Sequence, residues 1–313
     1  MADKFVILAD CTCDLSREIR ECFDIDDYIQ GYVSISDGRD LRTTLDWENI
    51  EREEFYKTLS NKKIKVTTAP ASPEEYYLAF KNYAEQGTKV LSMSLSSTIS
   101  STYDVACVAA QRVKKELPKA EIYCFDSYRM SGGFGLLVMY AHAMKKEGKT
   151  FEDILEWLEA YKHWVLQMGP FVDLIFVARR GRISMGKAIM GSFAGVKPMG
   201  DCDCRGFVSV LAKVKGINRA LDITAKYAQK MAIDIGNQYV IISHSDREKY
   251  ANQLKKLIED TLSPKKVFVS DVFSGSGANV GPGMVGIYFL GEEISEDLVA
   301  EKAVMNELLE KVK

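Results

Sequence analysis

The chain has 313 residues, of which 41 are Lys or Arg and 44 are Asp or Glu, for a formal net charge of −3. Apolar residues make up 47% and charged ones 27%, which is ordinary for a globular protein and too apolar, at so small a net charge, for a disordered one. The near-neutral balance gives no electrostatic footprint for nucleic acid, and the most apolar stretch, residues 132–144, is too short to span a membrane and contains His142.

Met-Ala-Asp-Lys leads straight into the apolar run Phe5-Val6-Ile7-Leu8-Ala9, with nothing that reads as an export signal, so a cytoplasmic protein is expected. That run is the pattern of a strand buried on both faces. A helix is expected over 16–23, a strand over 28–35 and a polar loop at 37–40. Ser72-Pro73-Glu74-Glu75 then opens a helix with a capping box and Pro at its first position, and Gly87 ends it. A strand over 90–95, a Ser/Thr cluster and a helix to 117 follow. Next come a strand over 122–125 and helices over 133–146 and 150–167. This β-α alternation implies a mainly parallel sheet flanked by helices.

Near Met168-Gly169-Pro170 the rhythm changes. Strands are expected over 172–178, 195–199 and 207–214, the last two joined as a hairpin through the turn-rich 200–206. Helices over 216–235 and 247–262, strands over 267–271 and 284–290, and a final helix over 296–312 complete a second unit. The fold expected is α/β in two domains. Residues 1–165 carry the parallel sheet, and residues 166–313 carry a mixed or antiparallel sheet with helices.

Several segments have the residue types of a binding site. Ser94, Ser96, Ser97, Thr98, Ser100, Ser101 and Thr102 lie between a strand and a helix, where hydroxyls and free N–H groups suit an anion. Thr67 and Thr68 stand just before the capped helix. Asp10 and Asp14 bracket a strand end and suit hydrogen-bond anchoring better than a cation site. Arg179, Arg180 and Arg182 form a basic cluster in which Arg182 can pair with a carboxylate. His142 and His163 read as structural, while His244 closes a strand beside Ser245 and Asp246. The glycine run 275–283 precedes a strand rather than a helix and lacks the dinucleotide register, so it reads as an irregular loop approaching a ligand. No phosphate-binding loop of the ATP type is present, and no cofactor is implied. The seven cysteines include two C-x-C pairs, Cys11/Cys13 and Cys202/Cys204. Their spacing and the lack of a nearby His do not match a zinc site, so reduced thiols are expected. No catalytic triad spacing is present. On these residues alone, ligand binding is favoured over catalysis.

Taken in order, a set of segments resembles the DegV family of bacterial fatty-acid-binding proteins. They are Ile7 to Leu15 with Asp10, Thr12 and Asp14; Thr67-Thr68 with Ser72 to Glu75; Ser96 to Tyr103; and Asp126-Ser127 with Ser131 and Gly135. Gly181-Arg182-Ile183-Ser184, Lys197-Pro198, Lys213 to Gly216, Ser243-His244 with Asp246, and Gly281-Pro282-Gly283 complete the set. The resemblance implies two α/β domains with one long-chain fatty acid held between them. It places the carboxylate on Thr68 and one of Ser96 or Ser97, with Arg182, Asn279 and Gly281 adjacent to the site or to a docking partner. It implies no catalytic activity in this chain. A separate fatty acid kinase ATP-binding subunit is the implied partner and phosphorylates the presented carboxylate. Transient contact with a membrane surface is compatible with this role.

The chain departs from the family pattern at four places. Asn279 stands where His is usual, and Ala69, Pro70 and Ala71 replace a Ser-Gln-Pro stretch. Arg180 replaces a glycine before Gly181, and Thr98 and Ser101 replace glycines in the serine loop. The alternative that the same residues allow is an enzyme acting on a small anionic metabolite in the interdomain cleft.

Overall fold

The computed structural model describes residues 4–171, 173–183 and 195–310. In chain order, β1 (Phe5–Asp10) leads to α1 (Arg17–Cys22) and β2 (Tyr28–Ile29). The single strand expected over 28–35 is interrupted at Gly31, and its second part, β3 (Tyr32–Ile35), belongs to another sheet. There it pairs antiparallel with β4 (Arg39–Arg42) and β5 (Val66–Ala69), with α2 (Arg52–Ser60) between these two in sequence. A Cβ on Gly31 would lie 2.7 Å from the Ala69 carbonyl oxygen, so only glycine fits where the chain crosses between sheets.

Helix α3 (Pro73–Ala84) starts on the capping box expected from sequence. Ser72 Oγ accepts the Glu75 N–H at 3.2 Å, and the Glu75 carboxylate accepts the Ser72 N–H at 2.8 Å. Then come β6 (Lys89–Ser94), α4 (Thr102–Glu116), β7 (Ile122–Asp126), α5 (Ser131–Lys146) and α6 (Phe151–Tyr161). The first sheet has the order β2-β1-β6-β7 and is parallel throughout.

The chain then enters β8 (Val165–Met168), α7 (Leu174–Arg179), β9 (Val196–Cys202), β10 (Val208–Lys215) and α8 (Ile217–Met231). After these come β11 (Tyr239–His244), α9 (Glu248–Leu262), β12 (Lys266–Asp271), α10 (Ser274–Val280), β13 (Val285–Leu290) and α11 (Val299–Glu310). The second large sheet is mixed, in the order β12-β11-β13-β8. Strands β11 and β12 are parallel, and β13 runs antiparallel to both β11 and β8. β9 and β10 form a separate antiparallel hairpin. The α/β class with a parallel and a mixed sheet is as expected. Among the described residues, no helix is long and apolar enough to cross a membrane.

Three further elements differ from their sequence reading. The helix expected over 150–167 stops at Tyr161, and residues 165–168 form β8, buried at every position. The strand expected over 172–178 is helix α7, because Asp173 Oδ1 accepts the Ile175 and Phe176 N–H groups at 2.9 and 3.1 Å and caps a helix start. Val172 and Ser184 lie outside the described residues. The glycine-dense run expected as an irregular loop begins as helix α10. A Cβ on Gly277 would lie 2.8 Å from the Tyr56 hydroxyl, so close packing against α2 outweighs the poor helix propensity of glycine.

Helix α5 lies between the two large sheets and is apolar nearly all round, as a helix without a solvent face must be. Phe134, Leu136, Leu137 and Val138 join Ile7, Leu91 and Phe125 of the first sheet to Ile241, Phe268 and Tyr288 of the second in one buried cluster. The close approach depends on glycine: a Cβ at Gly135 would overlap the Cys13 carbonyl oxygen. His142 sits on this helix, and burial holds its pKa down at about 4, so it packs as a neutral ring.

Candidate functional site

The segments after β1, β6 and β7 leave the parallel sheet at its carboxyl edge, where open α/β sheets bind ligands. A cavity lies there. Asp10 to Thr12 border it after β1, Leu95 and Ile99 to Thr102 after β6, and Met130 and Ser131 after β7. The antiparallel sheet contributes Thr68 with Ala69, Pro70 and Ala71. Phe171, Val177 of α7, Arg182, Val208 and the face of α10 with Ser276, Asn279 and Val280 close the other side.

Thr68 is half-buried on β5, where it pairs with Val33. Its Oγ1 accepts the Asn279 Nδ2 at 3.1 Å, and among the described residues its own hydroxyl hydrogen has no acceptor, which leaves it available to the cavity. Asn279 is steadied by a second bond, from Nδ2 to the Gly275 carbonyl at 3.3 Å. Arg182 borders the cavity and donates to the Arg180 carbonyl. Burial pushes its guanidinium pKa down, and among the described residues no carboxylate pairs with it. Helix α4 begins at Ser101 without a side-chain cap, and Ser100 Oγ and Thr102 Oγ1 are 2.8 Å apart beside it. A hydroxyl, a half-buried cation and the open N-terminus of a fifteen-residue helix therefore meet in one mainly apolar space.

The aspartates are anchors, as expected. Asp10 Oδ1 accepts the Thr12 N–H and hydroxyl, and Oδ2 accepts the Leu95 N–H at 3.0 Å. Burial still pushes its pKa up, with those donors opposing. Asp14 accepts Ser131 Oγ at 2.6 Å and the Phe273 N–H at 3.0 Å, which ties the end of β1 to the second half. Burial pushes it up to about 8. Burial thus opposes a negative charge on either carboxyl.

Of the residues singled out from sequence, Thr68, Arg182 and Asn279 border the cavity. Ser96 and Ser97 do not. Ser96 is buried, its N–H donates to the Arg129 carbonyl at 2.9 Å, and its Oγ accepts the Thr98 N–H at 3.3 Å. The Ser97 N–H donates to Asp126 Oδ1 at 3.2 Å. In the same loop, Ser100, Ser101 and Thr102 face the cavity. Gly281 ends α10 with φ of 76°, and a Cβ there would lie 2.7 Å from the Phe176 ring, so it seats α7 without bordering the space. Phe171 and Val208 had no sequence signal, because an apolar residue in a loop or at a strand start looks alike whether it lines a cavity or a core.

Among the described residues, no three His, Cys, Asp or Glu side chains converge on a metal-sized site, and all seven cysteines are free thiols. His244 lies elsewhere, at the end of β11. Its Nε2 is 3.5 Å from Asp271, and its Nδ1 accepts the Arg247 N–H at 3.3 Å.

Two proteins of Clostridium perfringens are similar in sequence. DegV domain-containing protein CPE0026 is 29% identical over 289 residues, covering 92% of this chain and 98% of the relative. DegV domain-containing protein CPE1310 is 31% identical over 262 residues, covering 82% and 88%. Among solved structures, a DegV family protein from Thermus thermophilus described by its fatty acid binding shares the fold. Its TM-score is 0.81 at 24% identity, over 92% of this chain and 100% of that one. DegV of Bacillus subtilis, described as a fatty acid binding protein, matches with a TM-score of 0.75 at 22% identity, over 92% and 99%. The family profile described as "Uncharacterised protein, DegV family" matches residues 4–292, and the chain belongs to the DegV family.

Proposed function

We propose that this protein binds one long-chain fatty acid in the cavity between two domains, residues 1–165 and 166–313. The carboxylate lies at Thr68 and the serine loop, and the acyl chain lies along the apolar wall. The observation that carries this reading is the Thr68 hydroxyl, whose hydrogen has no acceptor among the described residues, at a largely apolar cavity that Arg182 also borders. Within the serine loop, Ser100 to Thr102 are on the cavity side, while Ser96 and Ser97 hold the loop from behind. The fatty-acid-binding descriptions of the solved relatives support the ligand class.

The energetics suit a carrier. Burial is worth about 0.8 kcal/mol per methylene, so the roughly fourteen methylenes of palmitate supply on the order of 11 kcal/mol before binding losses. The head group then has to orient the ligand more than hold it. Hydroxyls and helix N–H groups do so without burying a full counter-charge.

The reading assigns no chemical step to the chain itself. Its further part is that the loaded protein presents the carboxylate to a separate ATP-dependent kinase, which forms the acyl phosphate. The family resemblance supports that part. Asn279 bears on it, because an amide can donate a hydrogen bond but cannot carry a proton.

Native mass spectrometry of the purified protein, followed by solvent extraction and lipid identification, tests the ligand. A stoichiometric fatty acid is expected. An empty protein that also takes up no added palmitate would overturn the reading.

A further inference from the structure

Arg129 lies between β7 and α5 and is the largest fully buried side chain among the described residues. Its guanidinium donates from Nε to the Lys162 carbonyl at 3.0 Å, and from Nη1 to the Cys202 and Asp203 carbonyls at 3.3 and 3.4 Å. Its own carbonyl accepts the Ser96 N–H at 2.9 Å. One residue therefore holds the serine loop through its main chain and the end of β9 through its side chain.

The two segments it holds also touch each other. Thr98 Oγ1 donates to the Arg205 carbonyl at 2.6 Å, and a Cβ at Gly206 would overlap Ser96 Oγ. The turn between β9 and β10 therefore sits directly on the serine loop. Asp203 gives that turn its shape, with Oδ1 accepting the Arg205 and Phe207 N–H groups at 3.0 Å each. Arg129 itself does not border the cavity. The serine loop and Val208, just past the turn, do.

A buried guanidinium is costly unless an opposite charge and carbonyls compensate it. Three main-chain carbonyls take up its N–H groups, and Asp201 of β9, itself fully buried, lies within electrostatic reach. Asp201 Oδ1 accepts the Gln167 and Cys202 N–H groups at 3.2 and 2.6 Å. Asp201 Oδ2 and Arg129 Nη2 are both buried without a protein partner. Burial pushes Asp201 up to about 8, Arg129 pulls it down, and Glu301 of α11 pushes it up. Tyr227 of α8, Tyr288 of β13, and Cys202 and Asp203 beside it complete the titratable groups around it.

We infer that Arg129 is a positioning residue for the cavity: its side chain holds the end of β9 and its main-chain carbonyl holds the serine loop, which clamps the β9–β10 turn onto that loop and so fixes the hydroxyls and helix N-terminus that face the ligand. The clamp exists whatever the cavity holds; its effect on fatty-acid release rests on the function proposed above. Opening the clamp brings Asp201 into water, where it ionises near its ordinary value of 3.8 instead of about 8. Opening therefore releases a proton, and becomes about tenfold easier per pH unit across the pH range between those values.

The test is amide hydrogen exchange on the full-length, ligand-free protein, with rates corrected for intrinsic pH dependence. Arg129→Met is expected to speed exchange at residues 96–98 and 204–207 together by about tenfold or more, with β1 and β11 unchanged. In the wild type, protection of both segments is expected to fall as pH rises from 6 to 8, and Asp201→Asn flattens that profile. Acceleration in one segment only, equal acceleration in every strand, or a pH profile that survives Asp201→Asn overturns the inference. Should Arg129→Met fail to fold, Thr98→Val carries the same test, because it removes the direct bond between the two segments. Dissociation of cis-parinaric acid from the loaded protein is expected to quicken in the variants that open the clamp. If cis-parinaric acid never binds, the fatty-acid reading fails, while the exchange result still decides the clamp.

Discussion

Replacing Thr68 by Val removes one oxygen and keeps the shape of the side chain. Valine suits a strand position, and the backbone pairing of residue 68 with Val33 is untouched, so the fold should persist. Thr68 Oγ1 already accepts from Asn279 at 3.1 Å, so the hydrogen lost is the one available to the ligand. Asn279 keeps its bond to the Gly275 carbonyl at 3.3 Å, which limits the cost on the protein side. A hydrogen bond to a charged group is worth about 1.5–3 kcal/mol. The expected loss in affinity is therefore roughly 10- to 150-fold in Kd. Titration calorimetry with palmitate and with hexadecanol separates head from tail, since the alcohol has the same chain and no carboxylate. The variant is expected to lose affinity for palmitate and to keep most of it for hexadecanol. Unchanged palmitate affinity would put the carboxylate elsewhere. An equal loss for both ligands would show that the substitution had damaged the cavity instead.

Stability should fall as pH rises from about 6.5 to 8. Asp14 and Asp201 are both raised to about 8 in the folded protein, so the folded state keeps protons that the unfolded chain releases, at roughly 1.4 kcal/mol per pH unit for each group. Below that window His142 acts in the opposite sense, because the unfolded chain protonates an imidazole that burial holds down at about 4. Urea midpoints measured at pH 7 and 8 should show the fall, and Asp201→Asn should reduce it; a midpoint that rises over this range would contradict the burial argument. Gly135→Ala drives a methyl group into the Cys13 carbonyl and is expected to cost about 3 kcal/mol, whereas Gly236→Ala, with its nearest neighbour at 4.0 Å, should be close to neutral. Equal melting temperatures for these two variants would show that α5 can move. Ser72→Ala removes the side-chain half of the α3 cap, leaves the residue-72 N–H on the Glu75 carboxylate, and should cost about 1 kcal/mol by chemical denaturation; no measurable change would mean that the Ser72 hydroxyl does not hold the start of α3.

Much of the fold was legible because the signals are local. Ser72 and Glu75 satisfy each other's N–H groups within one turn, so the start of α3 needs no distant partner. The apolar runs of β1 and β6 have one low-energy use, as strands covered on both faces, and with β7 at the edge these place the serine loop and Ser131 at the carboxyl edge of the parallel sheet. Thr68, Arg182 and Asn279 were legible through family resemblance, each inside a recognisable stretch.

Other features depend on contacts between residues far apart in the chain. Residues 165–168 carry no strong local preference, and they form β8 because β13 offers an unpaired edge more than a hundred residues later. Helix α7 has the composition of a buried strand. A single capping aspartate and the space left beside α10 make it a helix. Ser96 and Ser100 lie in one polar loop, and only the turn at Gly206 and the carbonyl of Arg129 turn the first away from the cavity and leave the second facing it. Arg129, in the loop after β7, and Asp201, in β9, have no sequence pattern in common, yet folding buries both and brings them within electrostatic reach of each other. Local hydrogen-bond chemistry selects elements within a few residues. Burial and long-range hydrogen bonds act among whatever the folded chain brings together, and these decided which hydroxyls face the cavity.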